Sequence, residues 1–170
     1  MHYPNRMSVM YGYIRSRQLE GTFPGAPETG CWMSTSNRVA KGWGSVDENK
    51  WPYDGNADHW PPIEPPGLDI KAKAHRIFAY QRTSTVDECR ALLASRMPMS
   101  VAFDIDDSWY QAKNGIIPKP DKQQIVGGHA FYLIGYNDKM QTFKFVNSWG
   151  TDWGDSGYGY LPYSYFKKRF

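Results

Sequence analysis

Residues 143–166 read FKFVNSWGTDWGDSGYGYLPYSYF, and this stretch decides which fold the chain adopts. Apolar and polar side chains alternate up to Asn147, which predicts a strand, and a second strand is predicted over 158–161. Upstream, residues 127–138 read GGHAFYLIGYND and predict a further strand that begins at His129. The turn at its end lets this strand pair as a hairpin with the one before Asn147. We therefore expect His129 and Asn147 to meet across that hairpin.

Three motifs resemble those of the papain family of cysteine peptidases and follow the same order along the chain. They are WPYDG at 51–55, GGHAFYLIGYND at 127–138 and NSWGTDWGDSGY at 147–158. A lone histidine in a strand is more often a packed core residue, but these neighbours reverse that expectation for His129. The resemblance implies an α+β fold in which a partial helical lobe and an antiparallel, β-barrel-like lobe face each other across a cleft.

The resemblance also implies cysteine-type peptidase activity, in which a Cys-His-Asn triad hydrolyses peptide bonds. Imidazole titrates near neutral pH, so His129 would hold a thiolate as an ion pair and then protonate the leaving amine. Asn147 would accept a hydrogen bond from the far ring nitrogen and fix the tautomer and orientation of the ring. In the substrate groove, Trp149 would cover this contact from water and Trp153 would line the primed side. Both tryptophans are also consistent with simple core packing.

Four further positions are implied to contact the substrate. The backbone at Gly30 would pair with an extended peptide, and Cys31 would stand beside it in the groove wall. Ala102 and Ala130 would wall the main specificity pocket, where small side chains leave room for a bulky apolar substrate residue.

The nucleophile is not found where the resemblance requires it. In the family it lies about 130–150 residues before the histidine, and counting back that far from His129 reaches the start of the chain. Cys31 is too close to His129 and falls on the turn that lines the groove, so we favour a groove residue over a nucleophile or an incidental cysteine. Cys89 lies on the apolar stripe of a predicted helix and is expected to be a small buried side chain. We therefore expect an N-terminally truncated peptidase domain that lacks its nucleophile.

Two alternatives to a peptidase stay open on the sequence. A degenerate papain-fold domain would keep the groove and bind peptides or a protein partner without cleaving them. A thiol acyltransferase on the same scaffold would pass the acyl group to an acceptor other than water. In each case a peptide or protein is the expected ligand. A missing N-terminal segment or a protein partner is expected to cover apolar faces of the helical lobe.

Composition and charge argue against several other classes of function. The 20 basic and 17 acidic residues are interspersed and give a net charge of +3, which indicates neither a nucleic-acid nor a membrane surface. The four histidines and two cysteines show no ligand spacing, so we predict no metal site and no cofactor. The N-terminus lacks a secretory h-region, and the low cysteine count favours a reducing compartment such as the cytoplasm.

The remaining pattern predicts where the two lobes divide. Residues 51–67 contain five prolines, so we interpret them as a connector between the lobes. The helical lobe with its connector is predicted at 1–66 and the β lobe at 67–170. Thr85 is a predicted N-cap, because two acidic residues follow it in the first turn. Besides the strands already given, the pattern predicts helices over 7–20, 34–42 and 85–96, and strands over 75–81 and 97–105.

Overall fold

The chain divides into two compact units. The computed structural model describes residues 6–26, 29–118 and 125–169. Contacts between Cα atoms group the chain into Met1–Gln81 and Arg82–Phe170, and each unit has a hydrophobic core of its own. The first unit therefore extends past the boundary that the sequence predicts.

Helices and short 3-10 turns make up the regular structure of the first unit. Ser8 caps the first helix, because its Oγ accepts from the Tyr11 N–H at 3.0 Å and donates to the Trp51 carbonyl at 2.6 Å. The first two helices confirm those predicted over 7–20 and 34–42, whereas the third is not foreseen by the sequence pattern. The helices are α1 (Val9–Leu19), α2 (Met33–Gly42) and α3 (Leu68–Ala72), and the 3-10 turns are Glu48–Lys50, Ala57–His59 and Lys73–His75.

The proline-rich stretch contributes to the core of the first unit. Trp51 is buried there, and Trp60 packs at its edge with its ring centroid 5.7 Å from that of Phe23. Apart from the turn at Ala57–His59, residues 51–67 form no helix or strand, as their prolines predict. The buried cluster consists of Met10, Tyr11, Ile14, Val46, Trp51, Leu68 and Ala72.

The strand predicted over 75–81 does not form, and this prediction is wrong. His75 ends a 3-10 turn, and the residues from there to Gln81 are neither helix nor strand. Phe78 is 97% exposed, so the side chains that alternate in the sequence face no core. Alternation favours a strand only where a neighbouring strand accepts its backbone hydrogen bonds. The strands of the described sheet all lie further along the chain.

One antiparallel sheet forms the centre of the second unit. Its strands neighbour one another in chain order, and they confirm the four strands predicted over 97–105, 129–136, 142–147 and 158–161. The fold class is α+β, as predicted, but the sheet of described residues is open and its first and last strands are edges. Barrel-like is therefore too strong a description. The strands are β1 (Met99–Asp106), β2 (Ile125–Asn137), β3 (Thr142–Val146) and β4 (Tyr158–Pro162).

Two helices flank this sheet. The first, α4 (Val86–Ala94), packs against β2 and begins with a capping box between Thr85 and Glu88, which confirms the predicted cap. The second, α5 (Tyr163–Arg169), follows β4 directly. Two 3-10 helices follow β1, at Asp107–Gln111 and Lys113–Gly115. In the part of the chain that the structure describes, no helix is both long and apolar enough to span a bilayer.

The core of the second unit is unusually rich in aromatic rings. The rings of Phe103, Phe131 and Phe145 come from three adjacent strands and lie on the same face of the sheet. Trp109 joins them, with its ring centroid 5.4 Å from that of Phe131. This aromatic core extends along the face of the sheet on which His129 lies.

Candidate active site

The hairpin of β2 and β3 places His129 beside Asn147. His129 lies on β2 opposite Phe103 of β1, on the face of the sheet that carries the core. Asn147 follows the last residue of β3, and its backbone N–H donates to the Gly157 carbonyl at 2.9 Å. Its side-chain oxygen lies 2.8 Å from His129 Nε2. The structure thus brings together the two residues that the sequence pairs.

The hydrogen bonds around Asn147 fix the tautomer of His129. The Ser148 backbone N–H donates to Asn147 Oδ1 at 2.8 Å, and since a backbone amide N–H can only donate, the atom that it faces is the carbonyl oxygen. The same oxygen faces His129 Nε2, so Nε2 carries the proton of the neutral imidazole. The lone pair on Nδ1 is therefore the one available to accept a proton.

Trp149 covers the imidazole of His129. The two ring centroids are 4.6 Å apart and the planes are tilted by 30°. Trp149 is half-buried, and Trp153 meets it edge-on with the centroids 5.4 Å apart. Excluding water from beside a hydrogen bond strengthens it electrostatically. The predicted cover is in contact with the ring, and its effect on catalysis stays a prediction.

Two more aromatic rings enclose His129, and no motif in the sequence singles them out. Trp109 is fully buried and meets the imidazole edge-on, with the centroids 6.1 Å apart. Phe131 lies two residues after His129 on the same strand face, with its centroid 5.7 Å from the imidazole. The two-residue period of β2 is a signal that identifies Phe131. Trp109 comes from the 3-10 helix Asp107–Gln111, for which the sequence gives no comparable signal.

These rings change the acidity of His129. Burial lowers the pKa of His129 below its ordinary value, because the imidazolium loses hydration among aromatic side chains. The hydrogen bond to Asn147 acts on the pKa in the opposite direction, since it stabilises the charged ring. Burial has the larger effect, so the ring is neutral at pH 7 and Nδ1 is available as a base.

Trp153 supports these rings from inside the unit. It is 9% exposed, and its Nε1–H donates to the Trp109 carbonyl at 2.9 Å. Its ring also packs against Phe145, with the centroids 5.9 Å apart. These contacts are those of a core residue. A contribution of Trp153 to a substrate groove stays a prediction.

A comparison with protein families agrees with the motifs and with this geometry. The model of the family described as papain family cysteine protease matches residues 26–166. The chain belongs to the papain family of cysteine proteases. An α+β fold with a histidine and an asparagine joined across a hairpin is the structure that this membership leads one to expect.

Individual relatives in the papain family share a moderate identity with the chain. An uncharacterized peptidase C1-like protein of Acanthamoeba polyphaga mimivirus is 30% identical over 95% of this chain and 54% of its own length. A cathepsin L-like proteinase of Fasciola hepatica is 26% identical over 90% of the chain and 46% of its own. The crystal structure of xylellain, a cysteine protease from Xylella fastidiosa, has a TM-score of 0.85 and 28% identity, covering 95% of this chain and 65% of xylellain. The chain thus spans about half the length of these curated relatives.

The two alanines that the papain-family resemblance assigns to a specificity pocket lie directly opposite each other. Ala102 of β1 and Ala130 of β2 form a cross-strand pair, and both are exposed. Directly paired residues have Cβ atoms roughly 5 Å apart, so the two methyl groups make one shallow patch. Ala130 follows His129, so the two side chains point to opposite faces of the sheet. The contact of this patch with substrate stays a prediction.

Gly30 and Cys31 lie in the first unit, on the loop between α1 and α2. Gly30 has a φ of +74°, which a side chain rarely tolerates, and its backbone N–H donates to the Tyr13 hydroxyl at 3.3 Å. Cys31 is exposed, and its Sγ lies 3.4 Å from the Ser36 hydroxyl. Cys31 and Trp32, the two residues after Gly30, are both exposed. Pairing of the Gly30 backbone with a peptide stays a prediction.

Cys89 is unsuited to nucleophilic attack. It lies on α4 within the aromatic core and is fully buried, with its Sγ 3.4 Å from the Thr83 hydroxyl. Burial raises the pKa of the Cys89 thiol, because a thiolate would have to leave water. The expectation that Cys89 is a small buried side chain is confirmed.

Proposed function

We propose that the chain is a cysteine-type peptidase domain in which His129 is the acid/base and Asn147 is the residue that orients it. The single observation that carries this proposal is the hydrogen bond from His129 Nε2–H to Asn147 Oδ1. It commits one ring nitrogen to positioning and leaves the other free, which is the arrangement that a histidine needs to move a proton to and from a thiol.

The chemistry follows from the free nitrogen. Nδ1 of His129 takes the proton of a cysteine thiol, and the thiolate attacks the carbonyl carbon of the scissile peptide. The proton then passes from Nδ1 to the leaving amine as the C–N bond breaks, which leaves a thioester. In the second half of the reaction, His129 takes a proton from water and the resulting hydroxide cleaves the thioester. The proton then returns from His129 to the cysteine sulfur. Asn147 holds the ring in one orientation throughout.

We further propose that the thiol comes from neither cysteine of these 170 residues. Burial of Cys89 supports this, because no substrate reaches a fully buried sulfur. The position of Cys31 in the sequence supports it too, because Cys31 lies closer to His129 than the about 130–150 residues that separate nucleophile and histidine in the family. The nucleophile would then be supplied by a polypeptide segment outside this sequence.

The first experiment assays the 170-residue chain with a fluorogenic peptide, with and without a thiol-directed epoxide. No epoxide-sensitive hydrolysis is expected, and Cys31→Ala and Cys89→Ala should behave as the unaltered chain does. Hydrolysis that is blocked by the epoxide and abolished by Cys31→Ala would overturn the exclusion of Cys31.

The second experiment supplies the thiol. The reading frame upstream of Met1 is sequenced, and any cysteine-bearing helix encoded there in frame is expressed together with the chain. Peptide hydrolysis is expected, and His129→Ala should lower kcat/KM roughly 10²–10⁴-fold, the usual range for loss of a general acid/base. Peptide binding without turnover would contradict the peptidase and favour a binding domain. Acyl transfer to an added amine in preference to water would favour a thiol acyltransferase.

A further inference from the structure

An exposed tyrosine lies against Trp149 on the side away from His129. The ring of Tyr110 is stacked on that of Trp149, with the centroids 5.0 Å apart and the planes 21° from parallel. If Tyr110 and His129 lay on the same face of the Trp149 indole, their rings would also contact each other. The described rings show no contact between these two residues, so we place them on opposite faces of the indole. Tyr110, Trp149 and the imidazole therefore form a three-ring stack with the tryptophan in the middle. Tyr110 is 58% exposed, so its ring closes the stack towards solvent.

The backbone that carries Tyr110 is held firmly. It belongs to the 3-10 helix Asp107–Gln111, whose N-terminus is capped by Asp106 Oδ1, which accepts the Ser108 N–H at 3.1 Å. The preceding residue, Trp109, is fully buried and donates its Nε1–H to the Tyr165 hydroxyl at 3.0 Å. Its carbonyl also accepts the indole N–H described above for Trp153. An anchored residue directly before Tyr110 fixes the backbone from which the tyrosine ring reaches Trp149.

In the described part of the chain, the backbone of Trp149 itself makes no hydrogen bond. It lies in the irregular run between β3 and β4, and Gly150 after it has a φ of +87°. The contacts that hold its ring over His129 come from side chains: Trp153 at its edge and Tyr110 on its outer face. Of these, Trp153 belongs to the same irregular run. Tyr110 joins the outer face of Trp149 to the 3-10 helix Asp107–Gln111, and Trp153 is tied to the Trp109 carbonyl of the same helix.

We propose that Tyr110 is a positioning residue that keeps Trp149 closed over the His129–Asn147 hydrogen bond, and so acts on the imidazole through the tryptophan. This inference rests on the proposed function, because it takes His129 as the acid/base. The ring contacts that support it do not depend on where the nucleophile lies. A substitution that removes the Tyr110 ring should let the Trp149 ring move away from the imidazole, so that water reaches the His129 Nε2–H.

The test uses the whole chain and compares Tyr110→Ala with Tyr110→Phe. The Tyr110 hydroxyl makes no hydrogen bond in the part of the chain that the structure describes, so the phenylalanine variant keeps the stack and should match the original chain. In Tyr110→Ala, exchange of the His129 Nε2 proton with water, followed by NMR, should be roughly two- to tenfold faster, the range for one aromatic pair. The pKa of His129 should rise towards its ordinary value, because the ring is better hydrated.

A double-mutant comparison separates this role from a general loosening of the unit. In a Trp149→Ala background, Tyr110→Ala should cause no further change in the exchange rate or in the pKa of His129. Unchanged exchange in a folded Tyr110→Ala chain would overturn the proposal, and so would a full additional effect in the Trp149→Ala background. Should Tyr110→Ala fail to fold, Tyr110→Leu supplies the apolar bulk without the ring and is judged by the same readouts. Absence of peptidase activity in the chain supplied with a thiol would contradict the proposed function and leave these measurements unaffected, so the two failures are distinguishable.

Discussion

Neutral His129 has one nitrogen committed to Asn147 and the other free, so a change at position 147 should be detected on the ring itself. Asn147→Ala removes the acceptor that stabilises the imidazolium, and we expect it to lower the pKa of His129 further. Asn147→Asp places a carboxylate there and should raise that pKa instead. An NMR titration of the His129 ring in the three chains measures both shifts. A shift in the same direction for both variants would contradict the assigned hydrogen bond.

The lowered pKa of His129 also makes the stability of the chain depend on pH. Unfolding returns the ring to its ordinary pKa of 6.5, so between the lowered value and 6.5 the unfolded chain binds a proton that the folded chain does not. The free energy of unfolding should therefore fall as the pH decreases through this window, by at most about 1.4 kcal/mol per pH unit for one proton. More than about one pH unit above 6.5 this group contributes almost no slope.

Urea denaturation of the original chain and of His129→Gln at several pH values isolates this contribution, because the other histidines are common to both chains. The difference in free energy of unfolding between them should be constant at alkaline pH and should change as the pH is lowered through about 6.5. Parallel curves over the whole range would show that His129 is not buried in the folded chain as described.

At the scale of elements, a fully buried arginine organises the loop that leads to Gly30. Arg17 on α1 donates from Nε to the Thr22 hydroxyl at 2.8 Å and from a terminal nitrogen to the Thr22 carbonyl at 2.6 Å. Its other terminal nitrogen donates at 2.9 Å both to the Ala26 carbonyl and to the Tyr13 hydroxyl. The guanidinium also lies 5.4 Å from the ring centroids of Tyr13 and Trp60. Its cation–π contacts and hydrogen bonds to uncharged acceptors compensate for lost hydration.

We expect Arg17→Met to lower the free energy of unfolding by about 2–3 kcal/mol, because it removes the buried guanidinium and leaves several partly buried carbonyl and hydroxyl groups without a donor. Arg17→Lys should lose much of the same stability, since an ammonium cannot reproduce the planar fork of donors. Arg38→Met, on the exposed side of α2, is the matched control and should stay within about 0.5 kcal/mol. Thermal and urea denaturation measure the three variants. Equal effects of Arg17→Met and Arg38→Met would show that the buried network stabilises nothing.

The elements that the sequence predicts correctly are those with a local cause. Thr85 is the N-cap expected before α4, where it forms a capping box with Glu88, and the alternation in β2 and β3 needs only neighbouring residues to be recognised. The segment 75–81 alternates as well, but it has no strand to pair with in the sheet and stays irregular. The 3-10 helix that carries Trp109 is held by contacts to residues far along the chain. No local pattern reveals such contacts.

At the scale of the whole molecule, the two cores draw on separate parts of the chain. The first uses residues from Met10 to Ala72 and the second uses residues from Cys89 to Phe166. The sequence predicts the α+β class and the pairing of His129 with Asn147, because motifs carry them. The prolines of residues 51–67 predict irregular backbone but not whether that backbone packs into a core, as Trp51 does. The predicted division of the lobes at residue 66 stays a prediction.

We therefore expect residues 82–170, expressed alone, to fold with the His129–Asn147 hydrogen bond in place. The second core includes no residue before this segment, so its packing is retained. A dispersed NMR spectrum and a slowly exchanging His129 Nε2 proton would confirm this. A collapsed state without fixed aromatic signals would contradict the independence of the second core.

The contact between Trp149 and His129 has an optical consequence. An indole whose ring centroid lies 4.6 Å from an imidazole is close enough for the protonated ring, but not the neutral one, to quench its fluorescence efficiently. The emission of Trp149, obtained as the difference between the original chain and Trp149→Phe, should therefore fall as the pH is lowered through the pKa of His129. The chain in this way contains its own indicator of the charge on His129, which can be followed in dilute solution without any label.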